Sequence, residues 1–359
     1  MKDGALVAQP LDLERLELQG SAIPVAAQIE LGGRNGRIGG FSASQTGVLA
    51  YQGIWTQVQS ELAWFDRVGR RVGSVGGPGG YGNVALSPDG KQLATSVADP
   101  TRATSDVWLY DLSRDVPTRL TSHPNDDRHP IWSPDGSQIV FTSARTGTAD
   151  LYQTASGGAG SQDLLLGDTL GKSPSGWSRD GRLIVFHAPG RGMRSDLWLF
   201  PLFGDRKPFV FLQTPFSEAW GQVSPDGRWI AYQSDESGKT EIYVTSFPRA
   251  GARSRLSSAG GAFPRWQQDG RTLFYLAPDK KLMAVAVNVH AGALDVGAVQ
   301  PLFETHAMIE GDYNPTIVPG FPYDVSADGQ RFLINTALQQ TASAPPITLV
   351  VNWTAGLKK

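Results

Sequence analysis

Trp132-Ser133-Pro134-Asp135-Gly136 is the stretch on which the reading of this chain turns. Proline fixes φ near the value needed at the second position of a type I turn. Aspartate suits the third position, and glycine takes the positive φ of a bulged hairpin. The flanks, Ile131-Trp132 before and Gln138-Ile139-Val140-Phe141 after, are β-branched and aromatic, as half-buried strands are. The stretch therefore predicts a tight turn between two antiparallel strands.

Relatives of this turn recur along the sequence, ending at Gly47, Gly90, Gly136, Gly181, Gly227, Gly270 and Gly329, with spacings of 43, 46, 45, 46, 43 and 59 residues. Periods in the forties, with short strands and no amphipathic helical pattern, match four-stranded propeller blades. In the unit of Gly136 the strands are expected at 130–133, 138–142, 150–154 and near 164–166. Third strands share an acidic residue two before an aromatic: Asp106 with Trp108, Asp150 with Tyr152, Asp196 with Trp198, Glu241 with Tyr243. The expectation is an all-β, seven-bladed β-propeller filling residues 1–359 as one domain, with six or eight blades as alternatives. Residues 4–11 and 23–29 read as third and fourth strands, and 323–334 and 347–353 as strands from the other end. One blade shared by the N- and C-terminal strands would then close the ring and remove the exposed edges. The long last spacing contains a Pro- and Gly-rich loop over 312–322.

These turns and their spacing resemble the TolB-type, WD-repeat-like propellers with Ser-Pro-Asp-Gly turns. The chain is most similar to the propeller module at the C-terminus of bacterial eukaryotic-like serine/threonine kinases. That likeness extends through Leu212-Gln213-Thr214-Pro215-Phe216, Pro301-Leu302-Phe303-Glu304-Thr305 and Asn352-Trp353-Thr354. The resemblance implies a protein-binding or sensory module linked to kinase signalling, with an extracytoplasmic setting. The chain has neither the kinase domain nor the membrane span of that arrangement, and it starts in what reads as mid-blade.

Composition narrows the functional classes. With no cysteine there is no disulfide framework, thiolate site or cysteine nucleophile, and a net charge of −2 sets up no field that would draw nucleic acid. The first dozen residues lack the apolar core of a signal peptide, and no run approaches the roughly 20 apolar residues of a membrane span. No Gly-x-Ser-x-Gly elbow, Walker loop or kinase catalytic loop is present. Gly77-Pro78-Gly79-Gly80-Tyr81-Gly82 fits a dinucleotide pattern, but a strand follows it where a helix is required. His123, His129, His187, His290 and His306 show no metal-ligand spacing. The reading is a non-enzymatic binding propeller, monomeric, without cofactor or metal. The alternative is the propeller half of a peptidase, or a propeller enzyme with a central-channel site.

Within this reading Asp89, Gly90, Asp135, Gly136, Asp180, Gly181, Asp226, Gly227, Asp269, Gly270, Asp328 and Gly329 build turns on an inert face. The opposite face carries the longer loops. There Arg102, Arg145, Arg191, Arg194 and Lys239 recur on equivalent connections, and Asp126, Asp127, Arg128, His129, Lys172 and Trp220 lie nearer the axis. Such a surface would take a protein or peptide, or a small anionic ligand. Equally, these would be solvated loop charges.

Overall fold

The computed structural model describes residues 6–26, 31–32, 38–39, 41–52, 59–99, 102, 104–158, 160–190, 194–290, 293–309, 320–338 and 347–354. The chain divides into two compact units, residues 1–58 with 339–359, and residues 59–338. All regular structure among the described residues is β, apart from a short helical turn near the C-terminus.

Residues 59–338 form six four-stranded antiparallel sheets, here numbered I to VI. Their innermost strands are Tyr81–Leu86, Asp127–Trp132, Ser173–Trp177, Glu218–Val223, Ala262–Trp266 and Tyr323–Val325. Sheets I to V are each continuous in sequence. Sheet VI joins distant segments: Tyr323–Val325 and Arg331–Ala337 pair onto Ser60–Asp66 and Arg71–Gly79. Side chains and backbone stitch the inner strands together. Asn83 Nδ2 donates to Pro130 O at 2.9 Å, Trp132 Nε1 to Ala85 O at 2.9 Å, Ser175 Oγ to Gly221 O at 3.0 Å, and Trp266 Nε1 to Gln222 O at 3.0 Å. Val84 N to Phe321 O, 2.8 Å, carries the same stitching from sheet I back to the segment entering sheet VI.

Turn chemistry accounts for this regularity. At Ser87, Ser133, Ser178, Ser224 and Ser326 the hydroxyl donates to the aspartate two residues on at 2.5–2.6 Å and accepts the amide that opens the next strand. Each turn glycine has positive φ, from 68° to 75° at Gly90, Gly136, Gly181, Gly227, Gly270 and Gly329. The apolar faces of neighbouring sheets interleave between these ladders. One such cluster joins Ile139 and Phe141 of sheet II to Ala94, Val107 and Leu109 of sheet I.

Two expectations need correction. No seventh four-stranded sheet occurs among the described residues. The turn at Gly47 belongs to the other unit, where Phe41–Ala43, Val48–Gln52 and Ile347–Val351 make a three-stranded sheet. The extreme terminal strands do not complete the shared blade either. Residues 323–337 find their partners at 60–79, while Leu6–Ala8 pairs with Ile23–Ala26. Pairing between segments more than two hundred residues apart is not written in any local motif. The loop expected over 312–322 falls largely outside the described residues.

Candidate functional site: the channel mouth on the turn face

The third strands show what the repeated acid does. Asp106, Asp150, Asp196 and Glu241 are all buried, and each binds the segment that returns along the sheet edge. Asp106 takes Arg119 and Thr121, Asp150 takes Lys172 and Thr146, Asp196 takes Gln213, and Glu241 takes the Ser257 hydroxyl and the Gly260 amide. These are clamps between strands rather than open ligand sites.

The charges expected to form a ligand surface are largely consumed in the same way. Asp126 accepts the Ser105 amide at 2.8 Å and pairs with Arg128 at 2.6 Å. Asp127 is fully buried against Arg145 at 3.2 Å, and the Arg145 guanidinium also stacks 4.3 Å over Tyr152. Lys172, 1% exposed, donates to Asp150 at 3.0 Å and to Asp168 and Leu170 O at 2.7 Å each. Lys239 donates to Ser258 O at 2.9 Å and lies 3.5 Å from Glu241, and Arg102 lies 3.7 Å from Asp99. Arg194 is exposed, and Arg191 lies outside the described residues.

Nearer the axis, His129, Trp220 and Phe263 occupy bulges of the inner strands with φ of 51°, 57° and 57°. The bulge turns each ring inward. Trp220 lies 5.7 Å from His129, 4.5 Å from His187, 5.8 Å from Phe263 and 5.2 Å from Phe321, centroid to centroid. Rings from sheets II to V, with Phe321 just ahead of sheet VI, thus meet on one axis and fill the channel at its loop-face end. Burial, and then the charge of His129, pushes His187 down to about 3. Beside the plug Glu218, also fully buried, is pushed up to about 7 by burial, against the pull of the Thr214 hydroxyl.

Beneath the plug Arg265 crosses the channel. Its guanidinium lies 3.7 Å over the Phe321 ring and donates to Val84 O at 2.9 Å, Gln222 Oε1 at 3.2 Å and Tyr323 O at 3.4 Å, with Asp324 at 3.5 Å. Asp324 in turn accepts the Leu86 amide at 2.8 Å. This layer is the floor of the open end.

That open end faces the Asp-Gly turns. Two cavities lie there, of about 690 and about 240 Å³, and Leu86, Pro88, Arg179, Gln222, Trp266, Gln268 and Asp324 line both. The residue after each turn serine, or after Gln267 in sheet V, forms the rim: Pro88, Pro134, Arg179, Pro225, Gln268 and Ala327. The turn face, expected to be inert, thus carries these cavities. Room is left there because the inner strands converge on aromatics at one end and carry small prolines at the other. The signal in the sequence was the break in Ser-Pro-Asp-Gly at Arg179, Gln268 and Ala327. The turn aspartates themselves are structural in their contacts. The Ser133 hydroxyl and then the Ser137 amide hold the Asp135 carboxyl down at about 2, and a serine hydroxyl lowers Asp89, Asp180 and Asp328 likewise.

With fold and mouth described, comparison places the chain. Residues 58–198 match the TolB beta propeller domain. That stretch, under half of the 359 residues, is similar to a TolB-type β-propeller domain. A putative TolB from Agrobacterium tumefaciens has the same fold, with a TM-score of 0.61 at 20% identity over 79% of this chain and 99% of that one. TolB from Acinetobacter baumannii gives 0.52 at 15% identity, over 82% and 78% of the two chains. In sequence, 169 residues are 26% identical to Tricorn protease homolog 1 of Streptomyces coelicolor, a match covering 43% of this chain and 15% of that protein's length. These structural likenesses concern the fold. Among the described residues no cluster of three or more His, Asp or Glu is placed to hold a metal ion. No helix there is long and apolar enough to cross a membrane.

Proposed function

We propose that this chain is a TolB-type, non-enzymatic binding module that receives a segment of a partner polypeptide in the mouth on its turn face. One observation carries the proposal: the concave surface lies at that end, while the loop-face end is filled by Trp220 and the rings around it. A mouth of about 690 Å³ opening into one of about 240 Å³ suits an extended segment entering along the axis. The kinase-linked setting implied by the sequence resemblance fits such a module and adds no residue to the site.

The test is retention of a random linear peptide library on the purified chain. A double variant, Gln268→Trp with Ala327→Trp, would fill the mouth from two rim positions that already lack proline. Charge reversal of the exposed loop-face arginines, Arg102→Glu with Arg194→Glu, is its counterpart. The reading predicts that filling the mouth removes retention and that loop-face reversal leaves it unchanged. The opposite pattern would return function to the loop face.

The match to a tricorn protease homologue favours a second reading, in which the propeller guides peptides to a catalytic domain elsewhere. On that reading the retained peptides would be cleaved only when such a domain is supplied.

A further inference from the structure

Sheet III breaks the pattern of the mouth twice. Trp132 and Trp266, each next to its turn, send the indole N–H to the preceding sheet, at Ala85 O and Gln222 O. Trp177, at the equivalent place, donates instead to Gly181 O of its own turn at 3.1 Å; its ring lines the smaller cavity and packs against the apolar cluster between sheets II and III. Two residues on, Arg179 stands where sheets I, II and IV have proline. It is exposed, lines both cavities, and makes no hydrogen bond or ion pair among the described residues.

Charge bears on the occupant. The charged residues lining the smaller cavity are Arg179, Arg265 and Asp324, and Arg265 already holds Asp324 at 3.5 Å. Within that cavity one guanidinium is left over, in a lining shared with Trp177 and the rim prolines, while the larger cavity adds Asp89, Lys91, Asp328 and Arg331. A planar guanidinium matches a carboxylate geometrically, and its exposed donors are then satisfied by the ligand.

Resting on the binding role above, we infer that Arg179 and Trp177 form a recognition pair for a carboxylate on the bound polypeptide, either an Asp or Glu side chain or a free C-terminus. The rest of the rim, largely proline and alanine, takes apolar neighbours of that carboxylate.

Two positional-scanning decapeptide libraries, one C-terminally amidated and one with free C-termini, test this on the purified chain. Wild type is expected to favour Asp or Glu over Asn or Gln at one position by about tenfold in the amidated library, the effect of one charge-assisted hydrogen bond. Alternatively it would favour the free-acid library by the same factor; either outcome supports the inference and names the source. Arg179→Pro, which restores the motif of sheets I, II and IV, should abolish the preference while apolar selection persists. Arg179→Glu should reverse it toward Lys and Arg. Peptides retained in the mouth with no carboxylate preference, or with one that survives Arg179→Pro, overturn this inference and leave the binding role standing. Peptides retained equally after the mouth is filled, or none retained, overturn both.

Discussion

Replacing Glu218 by Gln gives the most quantitative check on the channel's construction. The Glu218 carboxyl is fully buried: Oε1 accepts from the Thr214 hydroxyl, and Oε2 has no hydrogen-bond partner. Burial raises it from 4.5 to about 7, with Asp196 adding to the rise and Thr214 and Arg253 opposing it. Because the folded-state value lies above the unfolded one, Glu218 favours folding fully below pH 4.5, and this contribution is lost as pH rises through 7. Between pH 5 and pH 8 the loss amounts to about 2.5 kcal/mol. Glutamine carries no such dependence. Any constant effect of the amide, including its own unpaired donors, cancels when the two pH values are compared. Urea unfolding of both proteins at both pH values, followed by tryptophan fluorescence at constant slope, measures the double difference. The expected result is that Glu218→Gln gains about 2.5 kcal/mol relative to wild type on going from pH 5 to pH 8. A double difference within about 0.5 kcal/mol of zero, the usual limit for non-interacting changes, or of opposite sign, refutes the assignment.

Other expectations follow from the clamps and turns. Lys172→Met should cost about 3–5 kcal/mol in urea unfolding, because it strands Asp150 in the interior, and Lys172→Met with Asp150→Asn should recover most of the loss. Equal stability of the single and double variants would show that the pair is not coupled. Asp135→Ala should lower the melting temperature at pH 7, and the deficit should shrink as pH falls toward 2, where the carboxylate protonates. Asp269→Ala, whose turn has Gln267 in place of serine, should lower it less, and equal losses would contradict the role given to the serine hydroxyl.

Much of the fold was legible because it rests on local chemistry. Ser-Pro-Asp-Gly determines a turn within a few residues, and repetition of that turn marks each sheet: the strands expected at 130–133, 138–142, 150–154 and 164–166 fall within Asp127–Trp132, Gln138–Ser143, Asp150–Ala155 and Asp163–Leu166, save Ser133, which opens the turn. The number of sheets was not legible in the same way. The partner of Arg331–Ala337 is Ser60–Asp66, a choice made by packing across the whole unit, and the turn at Gly47 looks like its relatives while serving a different sheet.

Most of the charges assigned to the loop face turn out to be paired, for a related reason. A sequence shows charges but not their partners, so Arg145 and Lys172 read as available although Asp127 and Asp150 hold them. Likewise nothing local announces that bulges at His129, Trp220 and Phe263 turn their rings onto one axis. What the sequence did carry was the departure at Arg179, Gln268 and Ala327 from the proline found at that position in the other three turns. It becomes meaningful once that position is known to form the rim.

The central claim, that partners enter at the turn face, is tested most directly by photo-crosslinking. A benzophenone amino acid is placed either at Gln268 on the rim or at Lys239 on the loop face, and each protein is irradiated with the peptides that wild type retains. Crosslinks from position 268 and none from 239 are predicted. Crosslinks from 239 alone would contradict the account.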